Sequence, residues 1–187
     1  LERWFEDHFK PEYQETYGLQ PRGKSIMVNE QPFKVKIYEP ASESRLQQFH
    51  AQDLSKFAGI ILCYDTTSKE TFYRLNNWLE EIKSTPYANI KVIIVGTKCD
   101  LENLRAVPIK EVKEWASSRC IDYFETSAKK GLNVGETFMY IIQKTSKLAK
   151  QVRELNSSGS TKRSNSIKGT PNKRSILWEG RIPVCQD

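Results

Sequence analysis

KVIIVGTKCDL (91–101) is a continuous apolar run that stops abruptly at Thr97, Lys98 and Asp100. Val, Ile, Ile and Val in succession suit a strand buried on both faces, and such strands belong to parallel sheets covered by helices. GIILCYD (59–65) repeats the pattern, and DYFETS (122–127) repeats it more weakly. Helical spacings lie between and after these runs. Phe72, Leu75, Leu79 and Ile82 follow Ser68 as an N-cap; Ile109, Val112 and Ala116 follow Pro108; Val134, Phe138, Ile141, Ile142 and Leu148 make a third set. Strands alternating with helices predict right-handed crossovers and an open, mostly parallel α/β sheet. In such a sheet ligands bind beyond the carboxyl ends of the strands, so the polar ends TKCD (97–100) and ETSAK (125–129) are where chemistry is expected.

Towards the N-terminus the pattern changes. FKVKIYE (33–39) alternates Phe33, Val35 and Ile37 with polar residues, and the turn NEQP (29–32) joins it to IMV (26–28), so this stretch reads as a β-hairpin. LERWFEDHF (1–9) reads as the end of a helix, with Leu1, Trp4, Phe5 and Phe9 at helical spacing and Pro11 forbidding its continuation. Between them GLQPRGKS (18–25) fits the phosphate-loop pattern G-x-x-x-x-G-K-[ST] letter for letter. That loop cradles phosphates only where a buried strand enters it and a helix leaves it. Here FKPEYQETY precedes and a hairpin follows, so the match is a coincidence of letters.

With 187 residues, 38% of them hydrophobic, the chain has room for one packed domain and a tail. Residues 150–187 carry eight Lys/Arg against three acids, which leaves a nearly neutral body out of a net charge of +6. A basic tail on a neutral body argues against a nucleic-acid-binding core and for an arm that meets anionic lipid or an acidic partner. From Asn156 the composition turns to Ser, Gly, Lys, Arg and Asn, so this arm reads as disordered, with SILWEGRIP (175–183) as a short docking element. The four cysteines show no C-x-x-C pairing, which suits reduced thiols of the cytosol. No apolar run nears the roughly 20 residues that cross a bilayer. LERWFEDHF is no signal peptide, and an initial Leu suggests a chain that begins inside a longer one.

At TKCD and ETSAK the sequence resembles the Ras superfamily of small GTPases, whose guanine motifs are [N/T]-K-x-D and S-A-K, in this order and at such strand ends. YDTTSKETFYRLNNWLEEI (64–82), with an aromatic after the Asp-Thr-Thr turn and with Trp78, looks most like the Rab branch. The resemblance covers about residues 1–149. It implies a small-GTPase-like fold of the P-loop NTPase type, with 1–149 as the G domain and 150–187 as a flexible basic tail. Asp100 would accept two hydrogen bonds from the guanine ring N–H and exocyclic amine, and the Ala128 N–H would donate to the ring carbonyl. Adenine presents the reverse polarity, and a site with buried groups set for one pattern can reject the other by about 10⁴-fold. Lys98 and Lys129 would lay their stems against the two faces of the base, Thr97 would tie the loops together, and Ser127 would orient Asp100.

The resemblance also marks departures. HFKPEYQETYG (8–18) resembles the segment entering switch I, which places Thr16 where the family's Thr coordinates Mg²⁺. Registering LERWF on the family's first helix puts the true first strand and phosphate loop ahead of Leu1, so either the chain is a fragment or that site has been lost. Where the family writes D-T-A-G-Q-E, this chain writes EPASES (39–44). Glu39 stands for the Asp that reaches Mg²⁺ through water, Ser42 for the Gly that senses the γ-phosphate, and Glu43 for the Gln that positions the attacking water. No residue is therefore assigned as catalytic. CQD (185–187) does not make a C-a-a-X signal, so Cys185 reads as an unmodified thiol.

The expectation is a guanine-nucleotide switch that binds GTP or GDP, with Mg²⁺ if the phosphate loop exists, and that meets protein effectors and regulators in vesicle traffic. It would be cytoplasmic or peripheral on cytosolic membrane faces. The alternative is a GTPase-derived interaction module that does not cycle.

Overall fold

A computed structural model describes residues 1–12, 21–39, 57–83, 90–158 and 175–179, with the backbone alone for 147–158 and 175–179. Among these, helices α1 (Glu2–Glu6), α2 (Lys69–Tyr73), α3 (Leu75–Lys83), α4 (Ile109–Ser117) and α5 (Val134–Ser158) flank a six-stranded sheet. Its strands are β1 (Arg22–Val28), β2 (Gln31–Tyr38), β3 (Phe57–Asp65), β4 (Lys91–Thr97), β5 (Asp122–Glu125) and β6 (Ser175–Glu179), in the spatial order β1-β2-β6-β3-β4-β5. β1 and β2 are antiparallel, and every other neighbouring pair is parallel.

The continuous apolar runs become the central strands, as their double-sided burial requires. Ile60, Leu62 and Tyr64 of β3 and Ile94 of β4 pack with Phe72, Leu75 and Leu79 of α2 and α3 and with Val112 and Ala116 of α4. On the opposite face Ile61, Ile93 and Val95 pack with Phe138, Ile141 and Ile142 of α5, with Val28, Val35 and Ile37 of the hairpin, and with Trp4 and Phe5 of α1. Each buried Val, Leu, Ile or Phe among these contributes about 1.5–3 kcal/mol by leaving water, so the two layers cover the faces of the sheet and leave its strand ends for the loops. Gly59 permits the close approach of α5: a Cβ there would lie 2.8 Å from Ile141 Cδ1.

The hairpin turns at Asn29 and Glu30, with φ of 49° and 61°. That is the primed two-residue turn whose twist matches the flanking strands, so Val28 pairs with Gln31. The GKS letters of the apparent phosphate loop fall inside β1, where Gly23, Lys24 and Ser25 pair with Lys36, Val35 and Lys34. An extended edge strand has no convergent amides, which bears out the reading of that motif as a coincidence.

Three elements differ from the sequence expectation. α1 stops at Asp7, whose left-handed backbone (φ 51°) sends its N–H back to Arg3 O, so Phe9 lies outside the helix. The helix expected after Ser68 is interrupted for one residue at Arg74, which keeps helical angles and so preserves the apolar stripe across the break. Ser68 makes no side-chain cap; the Thr71 hydroxyl there accepts the Asp65 N–H and donates to Ser68 O.

In the tail, two described stretches differ from the expectation, while 159–174 and 180–187 lie outside the described residues. α5 runs on to Ser158, and SILWE, expected as a docking element in a disordered arm, is β6. It lies between β2 and β3, with Ile37↔Ile176 on one side and Ile60↔Leu177 on the other. β-Propensity in Ile-Leu-Trp and two flanking edges with unpaired peptide groups together favour this placement.

Candidate functional site

β4 and β5 are parallel neighbours, so the loops leaving their carboxyl ends lie side by side. The tie between them is backbone: Thr126 N–H donates to Gly96 O (2.8 Å), and Cys99 N–H donates to Thr126 O (3.1 Å). Thr97 plays a different part from the one expected. Its hydroxyl donates to Tyr64 O (2.9 Å) and its carbonyl accepts Thr66 N–H (3.1 Å), so it ties the first loop to the end of β3. Thr66 reciprocates through its hydroxyl to Lys98 O (3.2 Å).

Lys98 sits in the left-handed region (φ 59°) and sends Nζ to Asp65 Oδ2 at 2.6 Å. The Asp65 side chain is only 3% exposed, and its Oδ1 accepts the N–H and hydroxyl of Thr67 (2.8 and 2.7 Å). A buried carboxylate with three donors is well satisfied, and it holds the lysine stem at the mouth of the site. Sequence reasoning passed over Asp65; the signal was an acid at the polar end of a buried strand, in register with Thr97.

Leu101 N–H to Lys98 O (3.0 Å) closes the turn that carries Asp100. Among the described residues the Asp100 carboxylate has no hydrogen-bond or ion-pair partner. Ser127, fully buried, pairs both backbone groups with Leu132 (3.0 and 2.9 Å), while its hydroxyl oxygen accepts Lys130 N–H (3.0 Å) rather than contacting Asp100. Ala128 and Lys129 are exposed at the tip of this second loop. Thr16, Ser42 and Glu43 lie outside the described residues.

Beneath the loops runs a polar chain that the sequence did not announce. Arg105 holds Glu125 with two hydrogen bonds, Nη1 to Oε1 (2.7 Å) and Nη2 to Oε2 (2.9 Å). The Tyr123 hydroxyl donates to Glu125 as well, and the Tyr64 hydroxyl lies 3.1 Å from that of Tyr123. Burial alone would raise the Glu125 carboxyl, but hydrogen bonds from Arg105 and Tyr123 outweigh it and hold the group below its ordinary range. Burial pushes Tyr64 up to about 12 and also raises Tyr123, which stays a neutral donor to Glu125. Burial likewise raises the Cys99 thiol, which makes it a packing residue rather than a nucleophile.

Comparison with known proteins meets this geometry at its center: the model of the Ras family matches residues 1–147, which include both loops. The chain belongs to the Ras family. Within it the similarity is to the Rab branch. The chain is 28% identical to human "Ras-related protein Rab-3D" over 172 residues, covering 91% of this chain and 78% of that protein. It is 32% identical to human "Ras-related protein Rab-3A" over 142 residues, covering 76% and 64% respectively. Identity is also 32% to "Ras-related protein RABA4b" of Arabidopsis thaliana, over 138 residues, 74% of this chain and 62% of that protein. The chain thus spans just under two thirds of the length of several relatives that it matches.

In this Ras-family chain two polar groups at the loop mouth, the Asp100 carboxylate and the Ala128 N–H, are left without protein partners among the described residues. Their polarity suits guanine, which offers adjacent donors and a carbonyl. Among the described residues no helix is long and apolar enough to cross a membrane.

Proposed function

We propose that this chain is a Rab-like guanine-nucleotide-binding switch, whose GTP-bound form recruits effector proteins in vesicle traffic and whose hydrolysis is slow or depends on a helper protein. The observation that carries the reading is the pair of backbone-tied loops at the ends of β4 and β5, with Asp100 and Ala128 N–H unpartnered among the described residues. Asp100 would accept from the ring N–H and amine of guanine, Ala128 N–H would donate to its carbonyl, and the stems of Lys98 and Lys129 would flank the ring. The ion pair of Lys98 with Asp65, which restrains the lysine side chain, supports this reading. Thr16 would be the metal-binding hydroxyl if a phosphate loop and Mg²⁺ complete the site.

The test is competition for labelled GDP on a form carrying a phosphate loop. GTP should displace the label and excess ATP should not, and Asp100→Ala should abolish the difference. Equal displacement by ATP in the parent would sink the reading. Alone, residues 1–187 should bind either nucleotide only near the mM range, about −4 kcal/mol.

EPASES (39–44) favours a second reading, a GTPase-derived interaction module that does not cycle. With Glu43 in place of Gln, a carboxylate would oppose the γ-phosphate charge rather than orient water. Single-turnover hydrolysis compared with a Ser42→Gly, Glu43→Gln form separates the two readings: equal rates argue against a degraded switch.

The basic tail is further proposed to add reversible affinity for anionic membranes, each Lys/Arg near the surface contributing up to about 1 kcal/mol. Co-sedimentation with anionic vesicles that is indifferent to salt would refute this.

A further inference from the structure

Of the groups around the base loops, one comes from far away in the chain. Arg3, on α1, donates Nε–H to Ala128 O (2.7 Å) and Nη2–H to Lys129 O (3.2 Å), while Nη1 reaches Asp7 O (2.8 Å) and Asp7 Oδ1 (3.0 Å). The planar guanidinium thus spans two successive loop carbonyls on one side and the C-cap of its own helix on the other, a use of the fork that lysine cannot copy.

We propose that Arg3 is a positioning residue for base recognition, which fixes the second base loop so that its free amides face a guanine; the proposal rests on the nucleotide reading above. The argument is peptide geometry. In a trans peptide the C=O and the following N–H point in opposite directions. Turning Ala128 C=O to Arg3 therefore turns Lys129 N–H away from α1. Turning Lys129 C=O to Arg3 does the same for Lys130 N–H, which the Ser127 hydroxyl oxygen receives at 3.0 Å. Ser127 C=O is held by Leu132 N–H (2.9 Å), which directs Ala128 N–H away from Leu132. The N–H groups of Ala128 and Lys129 are left, with no partner among the described residues, as a pair of donors for one acceptor.

Little else constrains this tip. Residues 128–131 are exposed, and Gly131 has φ 69°. The Arg3 stem lies over that glycine, where an added Cβ would sit 3.9 Å from Arg3 Cδ and Nε. The base of the clasp is rigid by contrast. Trp4 packs on Phe138, Lys24 Nζ lies 4.1 Å from the Trp4 ring centroid and donates to Trp4 O (3.0 Å), and Arg22 stacks on Phe5 and pairs with Glu6. The Arg3 side chain is itself only 20% exposed.

The experiment titrates the full chain with GMP, AMP and 2-aminopurine riboside monophosphate, which lacks the 6-carbonyl, while amide resonances are followed by NMR. In the parent, GMP should shift the amides of Ala128 and Lys129. Arg3→Ala should displace these two resonances before any nucleotide is added and weaken GMP about fivefold, as expected for hydrogen bonds no longer preset. AMP and the 2-aminopurine nucleotide should bind as weakly to Arg3→Ala as to the parent, an outcome that a merely structural role for Arg3 would not produce, because loosening the fold weakens all three alike. Arg3→Lys, which can reach one carbonyl, should lie between and serves if Arg3→Ala does not fold. Unchanged GMP affinity in a folded Arg3→Ala or Arg3→Lys, or equal loss for all three nucleotides, would overturn the proposal. Parent amides that ignore GMP would overturn the nucleotide reading itself, and Arg3's role with it.

Discussion

Replacing Arg105 by Ala should cost far more than an ordinary surface substitution. The two guanidinium bonds to Glu125, at 2.7 and 2.9 Å, join side chains that are 17% and 16% exposed, so solvent screens them only in part. Removing one partner of a fully buried pair costs about 3–5 kcal/mol, because the other charge is left uncompensated. Here Glu125 keeps the Tyr123 hydroxyl and some water, which puts Arg105→Ala at about 3 kcal/mol and lowers the melting midpoint by about 6–12 °C. A double-mutant cycle with Glu125→Gln should return a coupling of about 2 kcal/mol by urea unfolding followed by circular dichroism. The sign with pH follows from the depressed carboxyl of Glu125. A group whose folded pKa lies below its unfolded value contributes fully above the unfolded value, about 4.3 for Glu, and loses that contribution as pH falls through the folded value. The coupling should therefore be complete at pH 7 and shrink towards pH 3. Coupling under about 0.5 kcal/mol at pH 7, or equal coupling at both pH values, would refute the claim that a charged pair underpins the loops after β4 and β5.

Gly96→Ala should destabilise by about 2–3 kcal/mol, since the new Cβ would meet Tyr64 Oη at 2.7 Å and Cζ at 3.0 Å, and Tyr64 is held by Tyr123; Tyr64→Phe in the same chain should restore part of it in thermal melts. Asp65→Asn keeps an acceptor for Thr67 but releases Lys98, whose side chain is 32% exposed and can rehydrate, so about 1–2 kcal/mol is expected from urea unfolding, against nearly zero if the pair is incidental. Leu177→Pro removes an N–H from a strand paired on both sides and should cost about 3 kcal/mol or more. Hydrogen exchange at 37–38 and 59–61 should quicken with it; unchanged protection would show that β6 does not occupy this place.

Much of this was legible from letters. Continuous runs such as Ile60–Leu62 and Ile93–Val95 can be satisfied only by burial on both faces, and the helical stripes of Phe72, Leu75 and Leu79 and of Phe138, Ile141 and Ile142 demand a sheet to cover. Those local requirements determine a helix-covered parallel sheet, and with it the end at which TKCD and ETSAK emerge. They also exposed the GKS of 23–25 as hairpin rather than phosphate loop. What periodicity cannot encode is which groups meet across long separations. Arg3 reaches Ala128, Asp65 takes Lys98, Arg105 takes Glu125, and Ser175–Glu179 enters the sheet between strands remote from it in sequence. The partners of Thr97 and Ser127 were misplaced for the same reason: a hydroxyl bonds to whatever acceptor or donor the packed backbone brings within about 3 Å, and that neighbour is chosen only when the sheet closes.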